Sequence, residues 1–127
     1  METACPMVLA ISTDALICGL LEDVFGTLQE YVVEILDDPV AGLIRLELGD
    51  VHLILLDLGW PESDGLDFCR QLRALPNTAT LPIIALTDVP AEQYAVTGYT
   101  YGPNEYIQKP FHVAELWSAI ARYLERR

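Results

Sequence analysis

Short apolar runs alternate along this chain with stretches in which apolar residues recur every three or four positions. Val8-Leu9-Ala10-Ile11 is a compact apolar run that stops at polar Ser12-Thr13, the pattern of a buried strand. Leu16, Ile17, Leu20, Leu21, Val24 and Phe25 follow at helical spacing, which predicts a helix capped by Thr13 or Asp14. A second strand is predicted over Tyr31–Ile35. Asp37-Asp38-Pro39 opens a second helix, since proline is tolerated in a first turn, and Gly49 closes it. Val51 through Asp57 is the strongest strand. Its near-continuous apolarity suits a central parallel strand covered on both faces. Leu66, Cys69, Leu72 and Arg73 predict a third helix, and Pro82–Thr87 a fourth strand that proline is allowed to begin. A short helix over about Ala91–Thr97 and a short fifth strand, Tyr106–Gln108, come next. Val113, Leu116, Trp117, Ile120, Ala121 and Leu124 lie on one stripe of a last helix.

Strands alternating with helices imply βαβ units and a parallel sheet. The predicted class is α/β: a three-layer (βα)5 domain with a five-stranded parallel sheet in the order 2-1-3-4-5, resembling flavodoxin-like folds. One domain is expected over residues 1–127, with an ordered core from about 7 to 126 behind a short lead-in, Met1–Pro6. The chain stops at Arg127, just past the last helix, so no output domain is expected.

Charge narrows the partners. Nineteen acidic and seven basic residues give a net charge of −12, which repels the phosphates of nucleic acid and of anionic lipid. No nucleic-acid or membrane partner is therefore expected. Cys5, Cys18 and Cys69 are odd in number and widely spaced, without a CxxC pair. That pattern argues against zinc and for free thiols in a reducing compartment. Met7–Leu21 is apolar but interrupted by Ser12, Thr13 and Asp14, and lacks a basic flank, so it reads as neither signal peptide nor membrane span. A cytoplasmic protein is expected. His52 and His112 show no ligand spacing and read as structural.

In open α/β sheets the chemistry gathers at the carboxyl ends of the strands. Those ends would bring Asp57, Thr87 and Lys109 together, with Ser12, Thr13 and Asp14 from the first strand. An aspartate, a hydroxyl and an ammonium in one crevice suit phosphate chemistry: the carboxylate as nucleophile, the other two on the phosphoryl oxygens. Neither a G-x-G-x-x-G turn nor a P-loop is present, which leaves a nucleotide or flavin enzyme only as a remote reading.

Asp57-Leu58-Gly59-Trp60-Pro61-Glu62-Ser63-Asp64-Gly65 resembles the phosphoacceptor turn of response-regulator receiver domains, D-L-x-x-P-x-x-D-G. Pro82–Thr87 is similar to their fourth strand and switch threonine. Gly102 through Tyr106-Ile107-Gln108-Lys109-Pro110-Phe111 resembles their "G…Y..KPF" segment. The resemblance runs over essentially the whole chain, in the right order and spacing. It implies that Asp57 takes phosphate from a histidine kinase or phosphotransfer protein and also contacts magnesium. It implies that Thr87 and Lys109 bind the phosphoryl group and that Tyr106 is the aromatic switch. It further implies that the Gly59 carbonyl ligates magnesium and that Pro110 follows a cis bond. A downstream protein or a second copy would dock on the Tyr94–Tyr106 region, which also holds Tyr99 and Tyr101, and on the last helix.

The departures from that pattern are specific. The family normally holds magnesium with two acidic residues after the first strand; here Ser12 and Thr13 stand there, and only Asp14, one place later, is acidic. Magnesium prefers anionic oxygen ligands, and each carboxylate is worth roughly 4 kcal/mol at an effective dielectric of about 20, before desolvation. Magnesium is accordingly expected to bind weakly or not at all. Asp88 follows Thr87 where a small residue is usual and would repel a phosphoryl group, and Trp60 would shield the acceptor. These features leave two readings. One is a phosphoryl-accepting signalling domain that is not an enzyme beyond its own phosphorylation and dephosphorylation. The other is a phosphorylation-independent interaction module.

Overall fold

The computed structural model describes residues 6–27, 31–58, 65–88 and 102–124. Its elements run β1 (Met7–Ile11), α1 (Ala15–Thr27), β2 (Val32–Leu36), α2 (Pro39–Glu47), β3 (Leu53–Asp57), α3 (Gly65–Ala74), β4 (Ile83–Thr87), β5 (Glu105–Gln108) and a last helix, α4 (Val113–Leu124). The sheet is parallel throughout, in the order β2-β1-β3-β4-β5, as the alternation of elements predicts. The second and third strands begin later than their apolar runs, at Val32 and Leu53. The helix predicted over Ala91–Thr97 lies outside the described residues.

Successive strand residues point to opposite faces, and the two halves of the core follow that rule. Val8, Ala10, Leu53, Leu55, Ile84, Leu86 and Ile107 pack under α1 and α4, with Ile17, Leu21, Leu116 and Ile120. Leu9, Ile11, Ile54, Leu56, Ile83 and Ala85 face α2 and α3, with Leu46, Phe68, Cys69 and Leu72. Both faces of β3 and β4 are therefore dry, which is why these strands are apolar without alternation. Trp117 belongs to the core, as expected: it stacks on Tyr31 at 5.8 Å and meets Phe25 edge-on at 5.1 Å.

The local signals of the sequence act as predicted at α2. The Asp38 carboxylate accepts from the Ala41 amide, Pro39 occupies the first turn, and Gly49 follows the helix end at φ +83°. Midway along α2, Gly42 meets β1. A methyl group there would lie 2.6 Å from Cδ1 of Ile11, so glycine is what lets the helix seat against the strand.

Two residues of the helical patterns lie off the core. Leu16 is 84% exposed, because Ile17, Leu21 and Val24 occupy the arc of α1 that faces the sheet. Arg73, one of the residues that mark α3, serves as a polar clasp. Its guanidinium donates to the carbonyls of Thr78, Ala79, Leu81 and Gly102 and to Oδ1 of Asn104. Asn104 Oδ1 also accepts from the Ile83 amide. The clasp joins the end of α3 to the starts of β4 and β5, and half-burial pulls the Arg73 pKa below its ordinary value while the carbonyls satisfy its donors.

Candidate functional site

Four strands deliver the crevice residues. β1 and β3 align Ile11 with Leu56, and β3 and β4 align Asp57 with Leu86. β4 and β5 align Thr87 with Gln108, and the Lys109 amide continues that ladder by donating to the Thr87 carbonyl at 2.7 Å. Ser12, Asp57, Thr87 and Lys109 are thereby carried to one edge of the sheet.

Asp57 is 1% exposed, and a buried carboxylate requires partners. Lys109 Nζ donates to its Oδ1 at 2.9 Å, and the Ser12 hydroxyl donates to its Oδ2 at 2.7 Å. Ser12 Oγ in turn accepts from the Asp14 amide at 3.0 Å. The ammonium of Lys109 also lies 3.5 Å from Oδ1 of Asp88, an exposed side chain. Burial pushes the Lys109 pKa down, but the hydrogen bond and charge of Asp57, with the charges of Asp88 and Asp14, outweigh it and raise the net value. Thr87 is fully buried at the end of β4. The Lys109–Pro110 bond is cis.

The remaining candidates occupy other places. Thr13 is exposed. Asp14 accepts from the Leu16 amide at 2.9 Å through its carboxylate, the cap that starts α1. Tyr106 pairs with Ala85 across the β4–β5 ladder, packs against the α2–α3 half of the core, and has a buried hydroxyl oxygen. His52 is structural, its Nδ1 accepting from the Met7 amide at 3.0 Å. Gly59, Trp60, Glu62, Tyr94, Tyr99 and Tyr101 lie outside the described residues. An open cleft of about 420 Å³ adjoins Lys109, bordered by Asp14, Leu16, Asp88 and Phe111.

Magnesium asks for near-octahedral oxygen ligands, carboxylates foremost. Both oxygens of Asp57 are already engaged by donors, and Asp14 caps a helix. Among the described residues, no group of three or more His, Cys, Asp or Glu side chains is arranged to hold a metal. Asp57 is the carboxylate at this edge that would contribute to such an ion, with Asp14 near Lys109. Sequence reasoning flagged Ser12 as a lost ligand and missed what it does instead. The signal lay only in the β1–β3 register, which no local pattern carries.

Comparison with known proteins agrees with this geometry. The family model described as "Response regulator receiver domain" matches residues 8–121. The chain is 38% identical over 101 residues to the response regulator ArlR of Staphylococcus epidermidis, covering 80% of this chain and 45% of that protein. It is 35% identical over 119 residues to the transcriptional regulatory protein KdpE of Staphylococcus aureus, covering 94% and 49%. The chain thus spans about half the length of these curated relatives. Among solved structures, the receiver domain of sensor histidine kinase PA1611 from Pseudomonas aeruginosa matches with a TM-score of 0.83 and 28% identity, over 97% of this chain and 100% of that one. That structure is described with a magnesium ion coordinated in its active-site cleft. Chemotaxis protein CheY4 of Vibrio cholerae shares the fold at a TM-score of 0.86 and 23% identity, over 95% and 100%. With its sheet order, its buried aspartate under a lysine, and a family model matched from the first strand into the last helix, this chain belongs to the response-regulator receiver domains of two-component signalling.

Proposed function

We propose that the domain accepts a phosphoryl group on Asp57 from a histidine kinase or phosphotransfer protein and reads it out through the face around Tyr106 and the last helix. The observation that carries this is the pairing of a buried carboxylate with Lys109 at 2.9 Å. In the transfer, a carboxylate oxygen of Asp57 forms a bond to phosphorus as the donor's N–P bond breaks. The electron pair stays on the donor imidazole nitrogen, and Lys109 moves to the charge that arrives. Thr87, at the adjoining strand end, supplies a hydroxyl to the phosphoryl oxygens. The open cleft beside Lys109, with exposed Leu16 on its rim, gives a donor helix an apolar foothold next to the acceptor.

Magnesium is held weakly or not at all in this reading, because Ser12 fills the place of an acidic ligand. The domain works as a signalling switch rather than as an enzyme. Its net charge of −12 disfavours direct contact with nucleic acid or anionic membrane, and no described helix is long and apolar enough to cross a membrane. Cytoplasmic placement, where free thiols persist, suits this picture. The Asp57–Lys109 pair favours phosphoryl acceptance over a phosphorylation-independent module, which has no need of a buried charge under an ammonium.

The test is uptake of label from a phosphorylated histidine phosphotransfer protein or from acetyl phosphate, located by mass spectrometry. Label on Asp57 that disappears in Asp57→Asn supports the proposal. Equal uptake by Asp57→Asn removes it.

A further inference from the structure

We propose that Asp88 is a built-in competitor for Lys109, an anion that a phosphoryl group must displace before the acceptor site can close around it. The proposal rests on Asp57 being the acceptor and adds a residue that sets how readily that site is filled.

The geometry is a cation shared between two carboxylates. Lys109 Nζ sits 2.9 Å from Asp57 Oδ1 and 3.5 Å from Asp88 Oδ1. The two acids differ sharply in setting. Asp57 is buried, whereas Asp88 is 66% exposed on its side chain, free to swing, and placed at the outer end of β4. Asp88 therefore stands on the solvent side of the ammonium, where an incoming phosphoryl group has to place its oxygens. That group brings a charge of about −1.5 to −2, so it meets Asp88 as a like charge and as a rival for the same donor. Lys109 is the only lysine in the chain. Across the crevice Ser12 offers a neutral hydroxyl that is already committed to Asp57, so no described side chain other than Lys109 carries positive charge into this contact. A neutral residue after Thr87 would leave the ammonium to Asp57 alone. The aspartate instead keeps it occupied and slows filling by small donors that bring no docking surface of their own. A protein donor that binds the neighbouring cleft offsets the competition with contact area.

Asp88→Asn keeps the shape and removes the charge. Its rate of acyl-phosphate formation with acetyl phosphate, measured in magnesium-containing buffer, is expected to exceed the parent's by about threefold, the scale of an exposed ion pair. The gap should narrow at high salt, and Asp88→Glu should stay near the parent rate. A second readout does not depend on phosphorylation: labelling with 15N-lysine gives a single Nζ resonance, which should move in Asp88→Asn at fixed pH. Equal or slower phosphorylation of Asp88→Asn overturns the proposal. If neither protein nor the Asp57→Asn blank differs in uptake, the acceptor assignment fails. The competitor proposal falls with it, and the resonance then reports only whether Asp88 holds Lys109.

Discussion

The two sides of the crevice have diverged. On the β5 side, Lys109 lies against Asp57 in the arrangement that phosphoryl chemistry needs. On the β1 side, Ser12 donates a hydrogen bond to the same carboxylate. One side supplies a full positive charge and the other a neutral dipole, yet both satisfy Asp57 as a buried group. The lesson is that holding an aspartate in place and charging its surroundings for metal are separable tasks. A hydroxyl performs the first without adding charge to the second.

Substitutions that weaken one side at a time sharpen the contrast. The largest effect is expected from Lys109→Ala, which leaves a buried carboxylate without its cation. Urea denaturation should show a loss of about 3 kcal/mol, whereas Asp57→Asn, which removes the charge itself, should cost far less. Equal losses would mean that burial of Asp57 does not depend on Lys109. Ser12→Ala comes next, at about 2 kcal/mol, because it strips a hydrogen bond from a charged group. Ser12→Asp tests the second task. Calorimetric titration should show magnesium affinity rising at least about tenfold, from the added carboxylate. No change there would mean that the charge at position 12 does not govern magnesium affinity.

The smallest expected effect lies away from the crevice and serves as its control. Burial pushes the Cys69 thiol from 9.0 up to about 12, with Arg73 and Arg70 pulling the other way. Its unfolded pKa is the lower one, so the stability it contributes is complete below pH 9 and fades as the pH climbs from there toward 12. Between pH 9 and 10 the fall should be about 1 kcal/mol, and Cys69→Ala should flatten that slope. The same burial should keep Cys69 unreactive toward iodoacetamide in the native protein at pH 8.

How much of this was written in the sequence depends on the range of the interaction. Strand and helix order, the Asp38 cap with Pro39, and the apolar run ending at Asp57 are local patterns, and all were legible. Leu16 belongs to the helical pattern yet is exposed, because periodicity defines a stripe wider than the buried arc. The clasp made by Arg73 was not legible because its acceptors lie as far away as Gly102 and Asn104, beyond any helical repeat. The hydrogen bond from Ser12 to Asp57 and the approach of Asp88 to Lys109 required the register of neighbouring strands, which only the folded sheet specifies.

Gly42 carries a consequence for the crevice although it lies outside it. Its lone hydrogen lets α2 rest on Ile11, and Ile11 is the residue directly before the serine that steadies the acceptor. The spacing between a helix and a strand is thus handed along one peptide unit to a 2.7 Å contact. A bulkier residue at this seam would be felt as misalignment of the Asp57 carboxylate, so the geometry of the crevice is set partly by a position with no functional group at all.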